Sequence, residues 1–195
     1  MITEEQYRTA TEKIDAAHSS DEMMELEDGN LFPVELLYSK RMLSVLELVS
    51  PDSSFEIKIA AQCQHLKRWS VSRSLYPYDR RGYHQWRQVV MDFQLQETKK
   101  ILLAANIGES DIHHILFILK EHGNKLNPES QVIMDTACLV FVKWYMEPFA
   151  GKHQNEKVID ILRKTMRKMS SKGVNLISKL ELPVSAKNIL EQVNH

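Results

Sequence analysis

Apolar residues recur three and four positions apart along most of the chain, the spacing that places them on one face of an α-helix. Only 6 Gly and 6 Pro occur among the 195 residues, which favours long helices over a many-turned β fold. The pattern therefore predicts an all-α chain of about seven or eight helices. The first is expected to begin beside Thr3, and the others to span residues 33–49, 55–69, 83–105, 111–122, 129–149, 156–169 and 185–193.

Capping residues mark two of the expected helix starts. Thr3 is followed three residues later by Gln6, the arrangement of a capping box. Asn127 stands directly before Pro128, as an N-cap residue does before a proline in the first helical position. Residues 170–173 (SSKG) are expected to interrupt the helical pattern, because serine and glycine favour turns.

The whole chain is expected to form a single helical domain, residues 1–195. Within it, residues 1–32 form an acidic N-terminal helix and loop, residues 33–170 a helical core, and residues 171–195 a tail with a helix of its own. A chain of this length can bury a sizeable hydrophobic core without disulfides or metals.

Negative charge is concentrated near the N-terminus. Residues 1–35 contain ten acidic residues against two basic ones. Residues 18–30 are acidic and end in Asp-Gly-Asn, so they are expected to form a loop or a short frayed helix with a solvated surface. Arg41 borders the apolar face of the helix over 33–49, where it must either extend towards solvent or find a partner.

Composition and charge exclude several classes of protein. Hydrophobic residues make up 43% and charged residues 26%, as in an ordinary globular domain. The net charge of −1 gives no general attraction to nucleic acid or membrane. The N-terminus lacks a signal-peptide pattern and no apolar run reaches membrane-spanning length, so a cytoplasmic or nuclear location is expected. Cys63 and Cys138 lie in apolar helical patterns and are expected to be buried free thiols.

Residues 60–87 have the most unusual composition in the chain. This stretch contains two Trp, three Tyr, two His and five Arg. Arginine and aromatic side chains in a compact segment are suited to holding an anion and stacking a ring. Residues 70–82 show no helical period and are expected to form a long loop, a common setting for binding residues. The candidate ligand-binding residues are Arg41, Arg68, Trp69, Arg73, Tyr76, Arg80, Tyr83, Trp86 and Arg87.

Two further residues are candidates for catalysis or metal binding. His65 lies at the margin of an apolar helical face, close to Arg68, and is either a core-edge histidine or a functional one. Asp135 lies in the helix over 129–149, which is apolar on nearly all sides. A buried carboxylate needs a partner, and an Arg, a His or a metal is expected to supply it.

Five segments resemble the domain-of-unknown-function 4202 family over almost the whole chain. They read LLYSKRM, QHLKRW, YPYDRRGYHQWR, DTACLVF and DILRKTMRKMS. Some fungal members of that family carry a glutamyl-tRNA-synthetase-like label, although this chain contains no nucleotide-binding signature of a synthetase. The resemblance implies no established reaction.

A second resemblance, in architecture, is to the HD superfamily of metal-dependent phosphohydrolases. The segment YSKRM resembles the first element of that superfamily with Tyr38 in place of its His, and QHL resembles the second without its Asp. DTA, which begins at Asp135, resembles the last element. The resemblance implies an HD-like layout and a phosphohydrolase-type reaction. His65 and Asp135 would be the remaining ligands for manganese, iron or magnesium, or the general acid and base.

Three functions remain open. The first is a pocket built from the arginines and aromatics of residues 60–87, with Asp135 beneath it, that binds a phosphorylated small molecule or a nucleotide. The second is binding of RNA, with residues 163–172 adding basic charge. The third is a non-catalytic scaffold or protein-interaction module in which the arginines only pair internally. Motifs of P-loop kinases, dinucleotide enzymes, zinc proteases and α/β-hydrolases are absent from the sequence.

Overall fold

The computed structural model describes residues 1–121 and 124–193. In that part of the chain the secondary structure comprises ten α-helices, one two-stranded sheet, three short 3-10 segments and one π-helical segment, so the all-α prediction is confirmed. The HD-like layout stays a prediction. The elements in chain order are α1 (Glu4–His18), β1 (Met24–Glu27), β2 (Asn30–Pro33), α2 (Val34–Val49), α3 (Phe55–Gln62), α4 (Arg80–Ala104), α5 (Glu109–Lys120), α6 (Pro128–Val140), α7 (Met146–Ala150), α8 (Asn155–Lys168), α9 (Ser171–Leu176) and α10 (Val184–Glu191).

The chain divides into two compact units. The first comprises Met1–Leu43 and Ser53–Glu121, and the second comprises Ser44–Asp52 with the described residues from 124 onward. The single domain expected over 1–195, with its three subdivisions, remains a prediction. None of the described helices is both long enough and apolar enough to cross a membrane.

The first unit is built around α3, α4 and α5. α5 packs against both α3 and α4, and α1 packs against the same two helices. The capping box expected at Thr3 is present: its side chain accepts a hydrogen bond from Gln6 N, and the Gln6 side chain accepts one from Thr3 N. The side chains buried most completely in this unit are Ile14, Met42, Ile59, Leu66, Leu102, Ile112, Ile115 and Ile118.

Residues 24–33 form a β-hairpin, which corrects the expectation of a loop or frayed helix up to Asn30. β1 pairs antiparallel with β2, in the register Met24 with Pro33 and Leu26 with Leu31. The turn residues Asp28 and Gly29 have φ values of 49° and 79°, the left-handed pair that a tight hairpin turn requires. Asp-Gly adopts that backbone conformation at little energetic cost. The turn therefore favours a hairpin here, although the acidic composition of the segment suggested a loop or frayed helix.

The second unit is built around α6. Asn127 caps this helix through its side-chain oxygen and Pro128 occupies the first turn, as expected. α6 packs against α8 and α9, and its fully buried side chains include Ile133 and Leu139. The continuous helix expected over 129–149 is instead divided, because Phe141–Tyr145 is a π-helical segment between α6 and α7. Such a wide turn shifts the following side chains around the helix axis.

Three other boundaries differ from the expectation. α3 ends at Gln62 rather than residue 69, and the chain turns through Lys67, whose φ is 48°. α4 begins at Arg80 rather than residue 83, because the Asp79 side chain accepts a hydrogen bond from Gly82 N and caps the helix. α5 begins at Glu109, and the part of its expected span at residue 122 lies outside the described residues.

The helical structure is interrupted near residues 170–173, as expected, but the break lies at Met169 and Ser170, and the remaining three residues already belong to α9. Ser170 is the N-cap of α9, and its hydroxyl accepts a hydrogen bond from Gly173 N at 3.0 Å. The serine that resembled a turn residue in the sequence is therefore a helix start. Both cysteines are buried, as expected, and burial raises the pKa of the Cys63 thiol to about 12 and that of the Cys138 thiol to about 11.

Candidate functional site

The first unit contains a cavity of about 300 Å³ beside the connection between α3 and α4. Four predicted binding residues line it, and all four come from that connection or from α4. The start of α2 and the residues before β1 complete the wall, partly with the apolar side chains of Met23 and Val34. The predicted residues in the lining are Arg68, Trp69, Arg73 and Trp86.

His65 connects two residues of this cavity wall. Its Nδ1 lies 3.0 Å from Glu35 Oε2, and its Nε2 lies 3.2 Å from Arg68 Nη1. The ring of Tyr38 stacks on the imidazole, with centroids 4.0 Å apart and planes 13° apart. The imidazole is thereby held on both ring nitrogens and on one face, in a row that runs from Glu35 through His65 to Arg68. We call these three residues the Glu–His–Arg row.

The row fixes the protonation state of His65. A guanidinium can only donate hydrogen bonds, so the contact from Arg68 requires a lone pair on His65 Nε2. The ring proton must then reside on Nδ1, which donates to Glu35. Burial lowers the pKa of His65, and Glu35 opposes that effect while the positive charges of Arg68 and Arg87 add to it. Both arguments give a neutral imidazole that accepts from Arg68.

Arginine and tryptophan stack directly against one another in the cavity wall. The guanidinium carbon of Arg68 lies 5.0 Å from the centroid of the Trp86 ring, and that of Arg73 lies 6.0 Å from it. Trp86 is itself fixed, because its indole Nε1 donates to the Val71 carbonyl at 2.9 Å. These contacts place two guanidinium groups around one buried ring, within the range of cation–π attraction.

Arg73 also holds the loop that carries it. Its Nη1 donates to the Tyr76 carbonyl at 2.9 Å and its Nη2 donates to the Pro77 carbonyl at 2.8 Å. Pro77 in turn lies so close to Gly82 that any Cβ at that position would overlap the proline carbonyl. The connection between α3 and α4 is therefore an internally bonded loop closed against the first turn of α4.

The structure does not bring all predicted binding residues into the cavity. Arg80, Tyr83 and Arg87 are exposed on α4 and are not part of the lining. Tyr76 is half-buried and contacts Arg73 through its backbone: its carbonyl accepts from Arg73 Nη1, and its N–H donates to the Arg73 carbonyl at 3.2 Å. Tyr83 remains close, since its ring centroid lies 6.0 Å from that of Trp86.

Arg41 is paired rather than extended to solvent. Its side chain is 6% exposed, and it contacts Glu25 Oε1 at 2.7 Å and Glu27 Oε1 at 3.0 Å. Of the two alternatives left by the sequence, the paired one is therefore shown. The finding also corrects the expectation that the acidic run is only a solvated surface, because the inward face of β1 supplies both carboxylates.

Two acids of the cavity wall were missed by sequence reasoning. Glu35 is the partner of His65, and Asp21 accepts hydrogen bonds from Met23 N at 3.0 Å and from Glu35 N at 3.2 Å. Asp21 thereby satisfies backbone donors on either side of the hairpin and is 6% exposed. Both residues belong to the acidic N-terminal segment, and composition alone gave no signal that separates them from its exposed members.

Asp135 is buried in the second unit, with an exposure of 3%. Its Oδ1 accepts hydrogen bonds from Ser170 N at 2.8 Å and from Gln131 Nε2 at 2.9 Å, while its Oδ2 accepts one from the Ser170 hydroxyl. These partners are neutral donors, Gln131 on α6 itself and Ser170 at the start of α9, which corrects the expectation of an Arg, a His or a metal. This arrangement is a structural cap.

The described side chains offer little support for a bound metal. No group of three His, Cys, Asp or Glu residues within residues 1–121 and 124–193 is arranged to hold one. His65 has both nitrogens engaged, and Asp135 is bonded through both carboxylate oxygens. Manganese, iron or magnesium would have to displace these contacts, so the residues present do not fit a divalent site.

Comparison with known proteins extends the resemblance seen in the five sequence segments. No curated protein and no solved structure matches the chain. A match to one protein family, described as "Domain of unknown function (DUF4202)", covers residues 8–190. This span includes every residue of the cavity wall and all described helices except the first residues of α1 and the last of α10. The chain therefore belongs to the DUF4202 family.

Proposed function

We propose that the cavity beside the Glu–His–Arg row binds a phosphorylated small molecule or a nucleotide. The observation that carries the proposal is the position of Arg68, whose guanidinium is fixed by His65 and by the Trp86 ring in the wall of an open cavity. A fixed arginine loses little conformational freedom when it binds, and its planar fork matches the oxygens of a phosphate.

The hydrogen bonds within the wall leave Arg68 as its main unused donor. Glu35 accepts from His65, and Asp21 accepts from two backbone N–H groups. Arg73 donates through both terminal nitrogens to carbonyls of its own loop. Within the described part of the chain, Arg68 donates one hydrogen bond, from Nη1 to His65, out of the five N–H groups that a guanidinium has. The remaining donors are available to an anion.

The proposal concerns binding and assigns no catalytic step. His65 would need a free nitrogen to act as a general base, but Glu35 and Arg68 occupy both. Asp135 is engaged at the start of α9 and is not a lining residue of the cavity. His65 and Asp135 therefore do not supply the general acid and base that the phosphohydrolase-type reaction implied by the HD resemblance would need.

A calorimetric titration tests the proposal. Inorganic phosphate, AMP and ATP are each added to the wild-type protein and to the Arg68→Ala variant. We expect at least one of them to bind the wild type, and the variant to lose roughly tenfold or more in affinity, since a hydrogen bond to a charged group contributes about 1.5–3 kcal/mol. Arg68→Lys should recover only part of that affinity, because an ammonium lacks the planar fork.

The matched control is Arg8→Ala, which removes an exposed arginine from α1 in the same unit. It should leave the affinity unchanged, which separates a local effect of Arg68 from the general loss of one positive charge. Equal affinity of the Arg68→Ala and wild-type proteins for every phosphate compound that binds would overturn the proposal, as would the absence of any binding to the wild type.

The scaffold alternative is weakened by a specific observation. It requires the arginines of residues 60–87 to be paired internally, yet Arg80 and Arg87 are exposed and form no ion pair within the described residues.

A further inference from the structure

A surface next to the cavity combines exposed aromatic rings with unpaired arginines. Tyr78 is 82% exposed and Tyr83 is 42% exposed, although large aromatic side chains are ordinarily at least partly covered. Arg80, Arg81 and Arg87 are exposed as well. We call these five residues the basic–aromatic surface.

The arginines of this surface do not stabilise the helix that carries them. Arg80 and Arg81 occupy the first turn of α4, which contains no acidic residue. Positive side chains at a helix N-terminus interact unfavourably with the helix dipole. The nearest acid, Asp79, is occupied as the cap of that helix through Gly82 N. Their placement is thus a cost to the fold, and a negatively charged partner would offset it.

Stacking contacts connect the surface to the cavity without a gap. The guanidinium carbon of Arg73, a cavity residue, lies 5.0 Å from the Tyr78 ring centroid and 6.0 Å from that of Trp86. Tyr83 also lies close to Trp86, at 6.0 Å between ring centroids. Arg87 follows Trp86 directly on α4. A single ligand could contact both regions.

Helical spacing aligns the surface along α4. Arg80, Tyr83 and Arg87 are separated by three and four residues, so they lie on one face of the helix. A basic side chain is thus followed by a ring and then by another basic side chain. Proteins that hold unpaired nucleotides use this alternation, in which arginines contact the phosphates and rings stack on the bases.

We propose that the ligand is the phosphorylated end of a single-stranded nucleic acid. The terminal phosphate lies against Arg68 in the cavity, and the following nucleotides run over the basic–aromatic surface. This inference rests on the proposed phosphate-binding function of the cavity. A duplex fits less well, because its bases are already stacked on one another and cannot lie on Tyr78 or Tyr83. The whole chain has a net charge of −1, so the attraction is local to this surface.

Fluorescence anisotropy tests the inference with labelled single strands of about ten nucleotides. RNA and DNA strands are compared with and without a phosphate at the unlabelled end, together with the matching duplex. We expect the phosphorylated single strand to bind most tightly. Tyr78→Ala should weaken it about fivefold or more, the effect of removing one stacking platform. Arg80→Ala should reduce the steepness of the salt dependence by about 0.7 in log–log slope.

The matched control is Arg8→Ala, an exposed arginine on α1, which should leave affinity and salt dependence unchanged. Vesicles of phosphatidylcholine with phosphatidylserine serve as a second anionic surface. If they bind and the strands do not, the surface is a membrane contact and the inference is wrong.

The pattern of losses separates this inference from the proposed function. If AMP binds in an Arg68-dependent manner while Tyr78→Ala and Arg80→Ala change nothing for any strand, the cavity proposal stands and the nucleic-acid inference fails. If strands bind but Arg68→Ala and the terminal phosphate do not change their affinity, the assignment of the strand end to the cavity is wrong, and the titration with phosphate, AMP and ATP decides the cavity proposal. If no phosphate compound and no strand binds, both are overturned.

Discussion

Gly173 lies directly against the carboxylate of Asp135: a Cβ atom placed on Gly173 would stand 2.5 Å from Asp135 Cγ and 2.7 Å from its Oδ1. The contact is possible only because glycine has no side chain. It brings the first turn of α9 down onto a buried carboxylate, so that Ser170 can donate from both its backbone and its hydroxyl. α9 is thereby attached to α6 through Asp135.

Gly173→Ala should destabilise the protein by about 1–3 kcal/mol, the usual range for forcing an extra methyl group into a packed site. The alanine must push either α9 or the Asp135 side chain away, and both movements lengthen the hydrogen bonds to Ser170. Urea unfolding followed by far-UV circular dichroism measures the change. Gly151→Ala is the control, because its nearest neighbour would be 3.8 Å away and should cause no loss. Equal stability of the two variants would contradict the prediction.

Asp135→Ala should destabilise the protein by about 2–4 kcal/mol, because it leaves buried donors of Ser170 and Gln131 without their acceptor. Phosphate binding at the Arg68 cavity should be unchanged in the folded variant, since Asp135 is not a lining residue. Thermal unfolding and the phosphate titration are the two measurements. A variant that keeps its stability but loses binding would show that Asp135 serves the ligand and not the cap.

Arg41→Ala should cost about 3–5 kcal/mol, the range for removing one partner of a buried ion pair. The substitution leaves Glu25 and Glu27 facing each other without the guanidinium that neutralises them. Arg41→Lys should be nearly as damaging, because one ammonium cannot reproduce the fork that contacts both acids. Chemical unfolding measures the loss.

The control for Arg41 is its neighbour Lys40, which is exposed, and Lys40→Ala should change stability by no more than about 0.5 kcal/mol. Replacing the two glutamates with glutamine in the Arg41→Ala background should recover part of the loss by removing their repulsion. If that triple variant is no more stable than Arg41→Ala alone, unpaired charge is not the cause.

Stability should fall as the pH drops below about 6.5, and His18 should account for part of the fall. His18 is completely buried, and its Nε2 donates to the Gln62 carbonyl at 2.9 Å while Nδ1 has no hydrogen-bond partner in the described structure. Burial lowers the pKa of His18 in the folded state. The unfolded chain therefore binds a proton first as the pH falls, which favours unfolding. The same direction applies to His65.

The measurement is the urea midpoint at about pH 7.5 and about pH 5.5, for wild type and His18→Gln. Glutamine can still donate to the Gln62 carbonyl but cannot titrate, so the difference between the two pH values should shrink. His113→Gln, at an exposed position on α5, serves as the control and should keep the wild-type difference. An undiminished pH difference in His18→Gln would show that this histidine is not responsible.

The sequence was sufficient for features that depend on neighbouring residues. Thr3 with Gln6, and Asn127 with Pro128, were recognisable as helix starts because each cap involves groups within three residues. The stretch that holds Arg68, Trp69, Arg73 and Trp86 was also identifiable from composition alone. In these cases the residues that determine the structure are neighbours in the chain, so the sequence pattern is enough to predict it.

The features that were missed depend on residues far apart in the chain. Arg41 reaches Glu25 and Glu27, and His65 reaches Glu35, thirty positions away. No spacing rule connects such partners, because only the tertiary fold brings them together. The start of α4 at Arg80 is the exception, because its cap joins Asp79 to Gly82 N and is local, although the spacing of apolar residues does not mark it.

The pairing of Arg41 also protects the hairpin against misalignment. Glu25 and Glu27 are two positions apart on β1, so they point to the same face, whereas Leu26 points away and is 66% exposed. A slip of one residue would turn Leu26 onto the guanidinium and leave it unneutralised, while both carboxylates would face water. Without Arg41, nothing would favour burying the acidic face of β1 over burying the face that carries Leu26. The buried arginine thus favours the observed register of β1 and β2 over a register shifted by one residue.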